Sequence, residues 1–232
     1  HERKVQDAER NRVFTNMPGL NECVFKGIGS FVDERTIKVE MNGKPPELLK
    51  GDIILIAPGA SPRRPDNFPK DPRIYDSDSI LHLKDMPKNM VVVGGGVIGC
   101  EYACIFAALN VGVSLIHNKD ILLPFMDSDI SISLENSMSK MGINMLKSES
   151  VESCNVKNDW LEIKLESGKT IKTETIMLAT GRTSNTGKLN LEAAGITPGK
   201  YGLLAVDKNY QVIHPDAQTP VSGIYAAGDV IG

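Results

Sequence analysis

The sequence predicts an α/β fold organised around a parallel sheet, and three observations predict it. Residues 90–93 (Met-Val-Val-Val) are an apolar, mostly β-branched run, and a glycine-rich stretch at 94–99 leads directly into apolar, helix-compatible residues 100–109. A second apolar run, residues 111–116, repeats the strand pattern after that helix. Further on, residues 170–181 pass from an alternating polar and apolar stretch into a solid apolar one. Strand, helix, strand at this spacing is a parallel βαβ unit, whose strands are buried on both faces and so read as unbroken apolar runs.

Taken from the N-terminus, residues 1–14 are polar and helix-compatible. Residues 22–27 and 36–41 read as short extended segments, the second alternating as a half-exposed strand does. Asn42-Gly43 is a hairpin signal, because both residue types accept the left-handed conformation a tight turn requires. Residues 52–57 (Asp-Ile-Ile-Leu-Ile-Ala) read as a buried strand, and the proline-rich stretch 58–72 reads as a connection between domains. The expected layout is a strand-rich partial domain at 1–70, a nucleotide-binding domain at 71–205, and a return segment to the first domain at 206–232.

Composition narrows the classes. The chain has 232 residues, 41% of them hydrophobic, enough for one or two ordinary cores. Its 26 Lys and Arg against 29 Asp and Glu leave a formal charge of -3, with no basic block to track a phosphodiester backbone, so nucleic acid is not an expected partner. The longest apolar run, 91–100, is broken by glycines and falls far short of the roughly 20 residues of a membrane span. The opening residues carry no apolar leader core, and a cytoplasmic protein without a membrane partner is expected. Cysteines at 23, 100, 104 and 154 have no metal-ligand spacing, and no metal is expected. Cys100 and Cys104 share a helix face; burial as small apolar residues is the favoured reading, with a redox pair as the alternative.

The chemistry-bearing motif is Gly94-Gly95-Gly96-Val97-Ile98-Gly99 between a strand and a helix. In this pattern Gly94 permits the tight turn, Gly96 lets the backbone approach a pyrophosphate, and Gly99 lets helix pack close on strand. The phosphates then meet the free N–H groups and positive end of the helix. A Rossmann-like site for NAD(H) or NADP(H) is the expectation. The second strand ends in His117-Asn118-Lys119, eighteen to twenty residues past Gly99, with no acid to select a ribose 2'-hydroxyl and repel a 2'-phosphate. His117 and Asn118 can hydrogen-bond either group, and Lys119 either adds positive charge near a 2'-phosphate or is a solvated surface lysine. Tolerance of NADP(H) is expected. Downstream, an apolar strand at 219–227 delivers Gly228-Asp229 to its end.

The order of these motifs resembles the pyridine nucleotide-disulfide oxidoreductase family, which includes glutathione reductase and dihydrolipoamide dehydrogenase. The resemblance rests on Ala57-Pro58-Gly59 before the glycine turn, Gly181-Arg182-Thr183-Ser184-Asn185-Thr186 after it, and Ala226-Ala227-Gly228-Asp229 at the close. The first of these departs from the family's Ala-Thr-Gly by a proline, which removes a hydroxyl and a backbone donor. Residues 72–81 (Pro-Arg-Ile-Tyr-Asp-Ser-Asp-Ser-Ile-Leu) and 96–103 (Gly-Val-Ile-Gly-Cys-Glu-Tyr-Ala) are most similar to the family's soluble, flavin-dependent transhydrogenase branch.

The resemblance implies FAD as cofactor and hydride transfer between NADPH and NAD+, with a dithiol-disulfide reductase or a non-catalytic nucleotide-binding module as alternatives. It further implies that Glu101 holds the nicotinamide carboxamide, that Val151 and Gly181 line the nicotinamide-nucleotide site, and that Gly29 and Asp229 contact the FAD adenine and ribitol. It also implies that the chain is a piece of a longer, homo-oligomeric protein. The first FAD-binding glycine motif and a C-terminal domain are then missing, residues 1–70 and 206–232 are the β-rich remnant of an FAD domain, and the piece alone is not expected to be active.

Overall fold

The computed structural model describes Ala8, Asn11, Arg12, Thr15 and residues 23–214 and 219–232. The helix expected over residues 1–14 lies mostly outside the described residues; Ala8, Asn11 and Arg12 are helical. Two compact units divide the chain, one made of His1–Gly59 and Asn185–Gly232, the other of Ala60–Ser184.

The first unit begins with an antiparallel meander of β1 (Ile28–Asp33), β2 (Thr36–Glu40) and β3 (Glu47–Lys50). The extended segment expected at 22–27 is displaced: residues 23–26 form no strand, and pairing starts at Ile28 opposite Glu40. Burial decides this, because Phe31 reaches the core at 3% exposure whereas Val24 stays in solvent. Asn42-Gly43 does form the turn between β2 and β3, with Gly43 at φ 73°. β4 (Ile54–Ile56) is shorter than the buried strand expected at 52–57, and only Ile56 is fully buried; Leu55 and the adjoining Ile53 are 62% and 72% exposed. One of its faces, with Ile54 and Ile56, packs into the core, and the other, with Ile53 and Leu55, stays exposed.

The second unit carries β5 (Ala60–Pro62), β6 (Ile74–Asp76), β7 (Asn89–Val93), α1 (Val97–Ala108), β8 (Gly112–His117), α2 (Ser128–Lys140) and β9 (Asn144–Lys147). An antiparallel meander of β10 (Val151–Val156), β11 (Leu161–Leu165) and β12 (Thr170–Thr173) follows, then β13 (Thr175–Leu178) and β14 (Arg182–Ser184). The chain returns to the first unit with β15 (Gln211–Ile213) and β16 (Pro220–Ala226), which lie in one sheet with β4 in the order β15-β16-β4.

The five-stranded sheet of the second unit has the order β6-β13-β7-β8-β9, and every neighbour is parallel. This is the α/β sheet that the sequence predicts. β7 forms because Met90–Val93 can be buried on both faces: all four are at most 9% exposed, each contributing about 1.5–3 kcal/mol of apolar burial. On one face Met90, Val92 and Leu115 pack with Cys100, Ala103 and Phe106 of α1. On the other, Val91, Val93, Ile176 and Leu178 pack with Leu161, Ile163 and Leu165, the inward residues of the meander. Residues 170–181 behave as expected, an alternating strand breaking at Glu174 before the fully buried β13.

The unit boundaries fall at 59/60 and 184/185 rather than at the 70/71 and 205/206 expected from the sequence. The reason is pairing: β5, inside the proline-rich stretch, is antiparallel to β14, with Ala60 opposite Ser184. The helix α2 is an element not anticipated from the sequence. Its Ile130, Leu134 and Met138 sit at helical spacing, but five serines between 128 and 139 dilute the pattern. Asp129 in its first turn and Lys140 in its last match the helix dipole. Among the described residues no helix is long and apolar enough to cross a membrane.

Candidate functional site

β7 is the point where the sheet reverses its order. The chain moves outward from it through β8 to β9, then returns by way of the meander to place β13 on the other side of β7. In an open parallel sheet such a reversal leaves a crevice at the carboxyl ends of the strands. The glycine turn lies at the carboxyl end of β7, and it borders a cleft of about 540 Å³ built entirely from the second unit.

Each glycine of the turn answers a different steric demand. A Cβ on Gly94, whose φ is 116°, would lie 2.2 Å from the carbonyl oxygen of Ala179, just beyond β13. One on Gly99 would lie 1.8 Å from the Gly94 carbonyl oxygen, so α1 can sit this close to β7 only without a side chain there. Gly96 differs, since a Cβ built on it meets nothing within 4 Å. The space over Gly96 is open cleft, where a bound group rather than the protein would meet a side chain.

Gly96 is also the N-cap of α1, extended at φ -82°, and no side chain caps the helix. No acidic residue occupies the first turn, and Val97 and Ile98 line the cleft. An uncapped helix end presenting N–H donors to an open, glycine-floored cleft suits an anion such as a pyrophosphate.

Nine of the residues singled out from the sequence border this cleft: Gly94, Gly95, Gly96, Val97, Ile98, His117, Asn118, Val151 and Gly181. Gly99 supports it from beneath. Lys119 is exposed and outside the lining, with its backbone carbonyl accepting from the Ser148 N–H at 2.9 Å. Glu101, in the second turn of α1, is exposed and also outside the lining. Gly29 lies in the first unit, where it borders a smaller pocket of about 200 Å³ with Phe31, Ile56, Ala57 and Pro58. Asp229, also in the first unit, is exposed in the short 3-10 turn after β16 and does not border that pocket.

His117 does not project freely into the cleft. Its Nδ1 accepts the Gly95 N–H at 3.2 Å, and burial, with the neighbouring Lys119 charge, lowers its pKa. Cys100 donates its thiol toward the Gly95 carbonyl at 3.7 Å, and burial, with Cys104, Glu135 and Glu101 nearby, pushes that thiol up to about 11. A thiol so held is a packing group, and Cys104 is likewise raised by burial. All the described cysteines are free.

Several lining residues come from segments that carry no motif. Arg63, Asn67 and Phe68 belong to the proline-rich stretch, which folds along the cleft instead of serving only as a connection. The Arg63 N–H donates to Gly181 at 2.9 Å, and Thr180 Oγ1 donates to the Arg63 carbonyl at 3.0 Å. The guanidinium of Arg63 donates to the Thr180 carbonyl. Asn67 donates to the Val151 carbonyl at 2.8 Å. Glu149, next to Val151, is 9% exposed and accepts from Ser167 at 2.9 Å and Lys169 at 3.3 Å.

Comparison with known proteins agrees with this geometry. Residues 11–232 match the family model described as pyridine nucleotide-disulphide oxidoreductase. The soluble pyridine nucleotide transhydrogenase of Pseudomonas aeruginosa (strain LESB58) is 43% identical over 211 residues, which are 90% of this chain and 44% of that protein. Its counterpart in Serratia proteamaculans (strain 568) is 40% identical over 214 residues, 91% of this chain and 44% of that protein. Among solved structures, the HOCl-induced flavoprotein disulfide reductase RclA of Escherichia coli superposes with a TM-score of 0.87 at 27% identity, covering 99% of this chain and 51% of that one. LpdA of Mycobacterium tuberculosis gives a TM-score of 0.89 at 27% identity over 99% of this chain and 50% of that one. The chain thus spans 44% of the length of the curated relatives it matches.

Proposed function

The chain belongs to the pyridine nucleotide-disulphide oxidoreductase family, and from that premise we propose that it is the nucleotide-binding portion of a flavoprotein that transfers hydride between NADPH and NAD+. The observation that carries the reading is the turn at Gly96: an uncapped helix end over an open cleft, at the point where the parallel sheet reverses. The relatives named soluble pyridine nucleotide transhydrogenase support the choice of reaction.

In this reading the backbone at Gly96, Val97 and Ile98 holds the pyrophosphate, and Gly94 and Gly99 let the turn come close enough to do so. Asn118, at the cleft edge beyond β8, meets the adenosine ribose or its 2'-phosphate, and Lys119 supplies charge from outside the lining. The absence of an acid among residues 117–119 leaves NADP(H) acceptable beside NAD(H). Val151 and Gly181 bound the nicotinamide end, and Glu101 fixes the carboxamide of the ring. FAD, when bound, supplies the redox centre through which hydride passes from one nucleotide to the other. Gly29 and the pocket beside Ala57 and Pro58 are suited to an adenine-sized group, and Asp229 is assigned to the ribitol.

The test is to purify the whole flavoprotein of which this chain is the nucleotide-binding portion, confirm the flavin by absorbance, and supply NADPH with a spectrally distinct NAD+ analogue and no disulfide. Turnover is expected. A second reading, dithiol-disulfide reduction, is favoured by the similarity to RclA, named a flavoprotein disulfide reductase. A flavin-loaded protein that turned over only after a disulfide was added would establish that second reading in place of the first.

A further inference from the structure

The peptide unit of Gly95 is held from both sides. Its N–H donates to Nδ1 of His117 at 3.2 Å, and its carbonyl accepts from the Leu123 N–H at 3.2 Å and faces the Cys100 thiol at 3.7 Å. A Cβ on Gly95 would lie 2.6 Å from the His117 ring and 2.6 Å from Leu122, so the imidazole fills the space above this glycine. Because Nδ1 is the acceptor, the ring is the neutral tautomer with its proton on Nε2. That Nε2 is buried without a well-formed hydrogen bond. The next residue along, Gly96, is the one whose backbone opens to the cleft.

We propose that His117 is a positioning residue, whose neutral imidazole locks the Gly95 peptide and thereby sets the donors at Gly96 to Ile98, so that nucleotide affinity falls when the ring is protonated. The inference rests on the nucleotide-binding reading above and assigns His117 a part that the ligand itself need not touch. A proton on Nδ1 would set two donors against each other at 3.2 Å.

The groups facing the ring favour the neutral state on balance. Burial and Lys119 oppose protonation, while the Ile121 carbonyl and Glu135 of α2 favour it, and the net direction is downward. Glu149 bonds through its backbone N–H to the His117 carbonyl, with its carboxylate engaged by Ser167 and Lys169. The Cys100 thiol stays protonated over the range concerned.

The experiment is calorimetric titration of the 232-residue chain with NAD+, which has no 2'-phosphate to titrate, at pH 8 and pH 5. The same titrations are run on His117→Asn, whose Oδ1 can replace Nδ1 as a non-titrating acceptor. Wild type is expected to bind about tenfold more weakly at pH 5, and H117N to bind equally at both. Nitrogen-15 NMR of wild type at pH 8 is expected to show the Nε2–H tautomer. Equal pH dependence in both proteins, wild-type affinity that rises in acid, or an Nδ1–H tautomer at pH 8 would each overturn the inference alone. Failure of wild type to bind NAD+ at pH 8 would overturn the nucleotide reading and this inference with it.

Discussion

Gly99 has no room for a side chain because Gly94 faces it: a Cβ on Gly99 would stand 1.8 Å from the Gly94 carbonyl oxygen. Gly96, between them in sequence, has open space where a Cβ would lie. The two positions therefore separate folding from binding. Gly99→Ala is expected to destabilise the fold by about 1–3 kcal/mol through overpacking of α1 on β7. Gly96→Ala is expected to cost no more than about 1 kcal/mol, as a poorer helix cap, yet to weaken NAD(P)(H) binding by about tenfold or more because the methyl occupies the approach to the phosphates. Urea unfolding and nucleotide titration on the two variants check this, and a Gly96→Ala protein that kept full affinity would remove the pyrophosphate from this turn.

Asn118 borders the cleft where the sequence offers no acid. Asn118→Asp is expected to lower NADP(H) affinity about tenfold by repulsion of the 2'-phosphate, with little change for NAD(H). Competition between the two nucleotides, measured in low salt and again at 1 M salt, should show the discrimination shrinking as charge is screened.

Reactivity of the cysteines follows their burial. With Cys100 pushed up to about 11 and Cys104 and Cys154 raised by desolvation, iodoacetamide at pH 8 is expected to label exposed Cys23 first. Peptide mapping after brief labelling reads the order. A native Cys100–Cys104 disulfide under mild oxidant would contradict the packing role assigned to both.

Asp71 and Arg73 make a two-pronged pair, Nε to Oδ1 at 2.9 Å and Nη2 to Oδ2 at 3.1 Å, and the same guanidinium reaches the carbonyls of Lys157 and Asn158 in the meander. The hydrogen bonds from Arg73 hold the Asp71 carboxyl below its usual range. A depressed carboxylate pKa adds stability that is present above the unfolded value, about 3.9, and is lost as pH falls through the folded one. Asp71→Asn is expected to cost about 1–2 kcal/mol at pH 7, and its difference from wild type should narrow below pH 4 in thermal unfolding. A difference that stayed constant down to pH 2 would rule out the carboxylate as its source.

Much of this molecule was legible in the sequence because the signals are local. The unbroken run at 90–93 had to be buried on both faces, and the glycine spacing after it had to make a tight turn. His117 and Asn118, which border the cleft, were reached by distance along the chain from Gly99, and Val151 and Gly181 by resemblance, while Lys119, picked by the same distance, lies outside the lining. The buried strand expected at 52–57 proved half exposed, because four consecutive apolar residues do not reveal that only one face of β4, that of Ile54 and Ile56, packs into the core. The strand expected at 22–27 moved to 28–33 because the position of Phe31 in the core, rather than β propensity, set the register.

The sequence by itself determined the βαβ order, the glycine turn and the acid-free strand end, since each depends on residues within about twenty positions of one another. Tertiary structure alone decided that residues 60–72 pair and fold along the cleft, that Glu149 stands beside Val151 in its lining, and that His117 turns to the Gly95 N–H. Those choices depend on which strands become neighbours and which hydrogen bonds burial leaves to be satisfied. Neither is written in the spacing of residues along one segment.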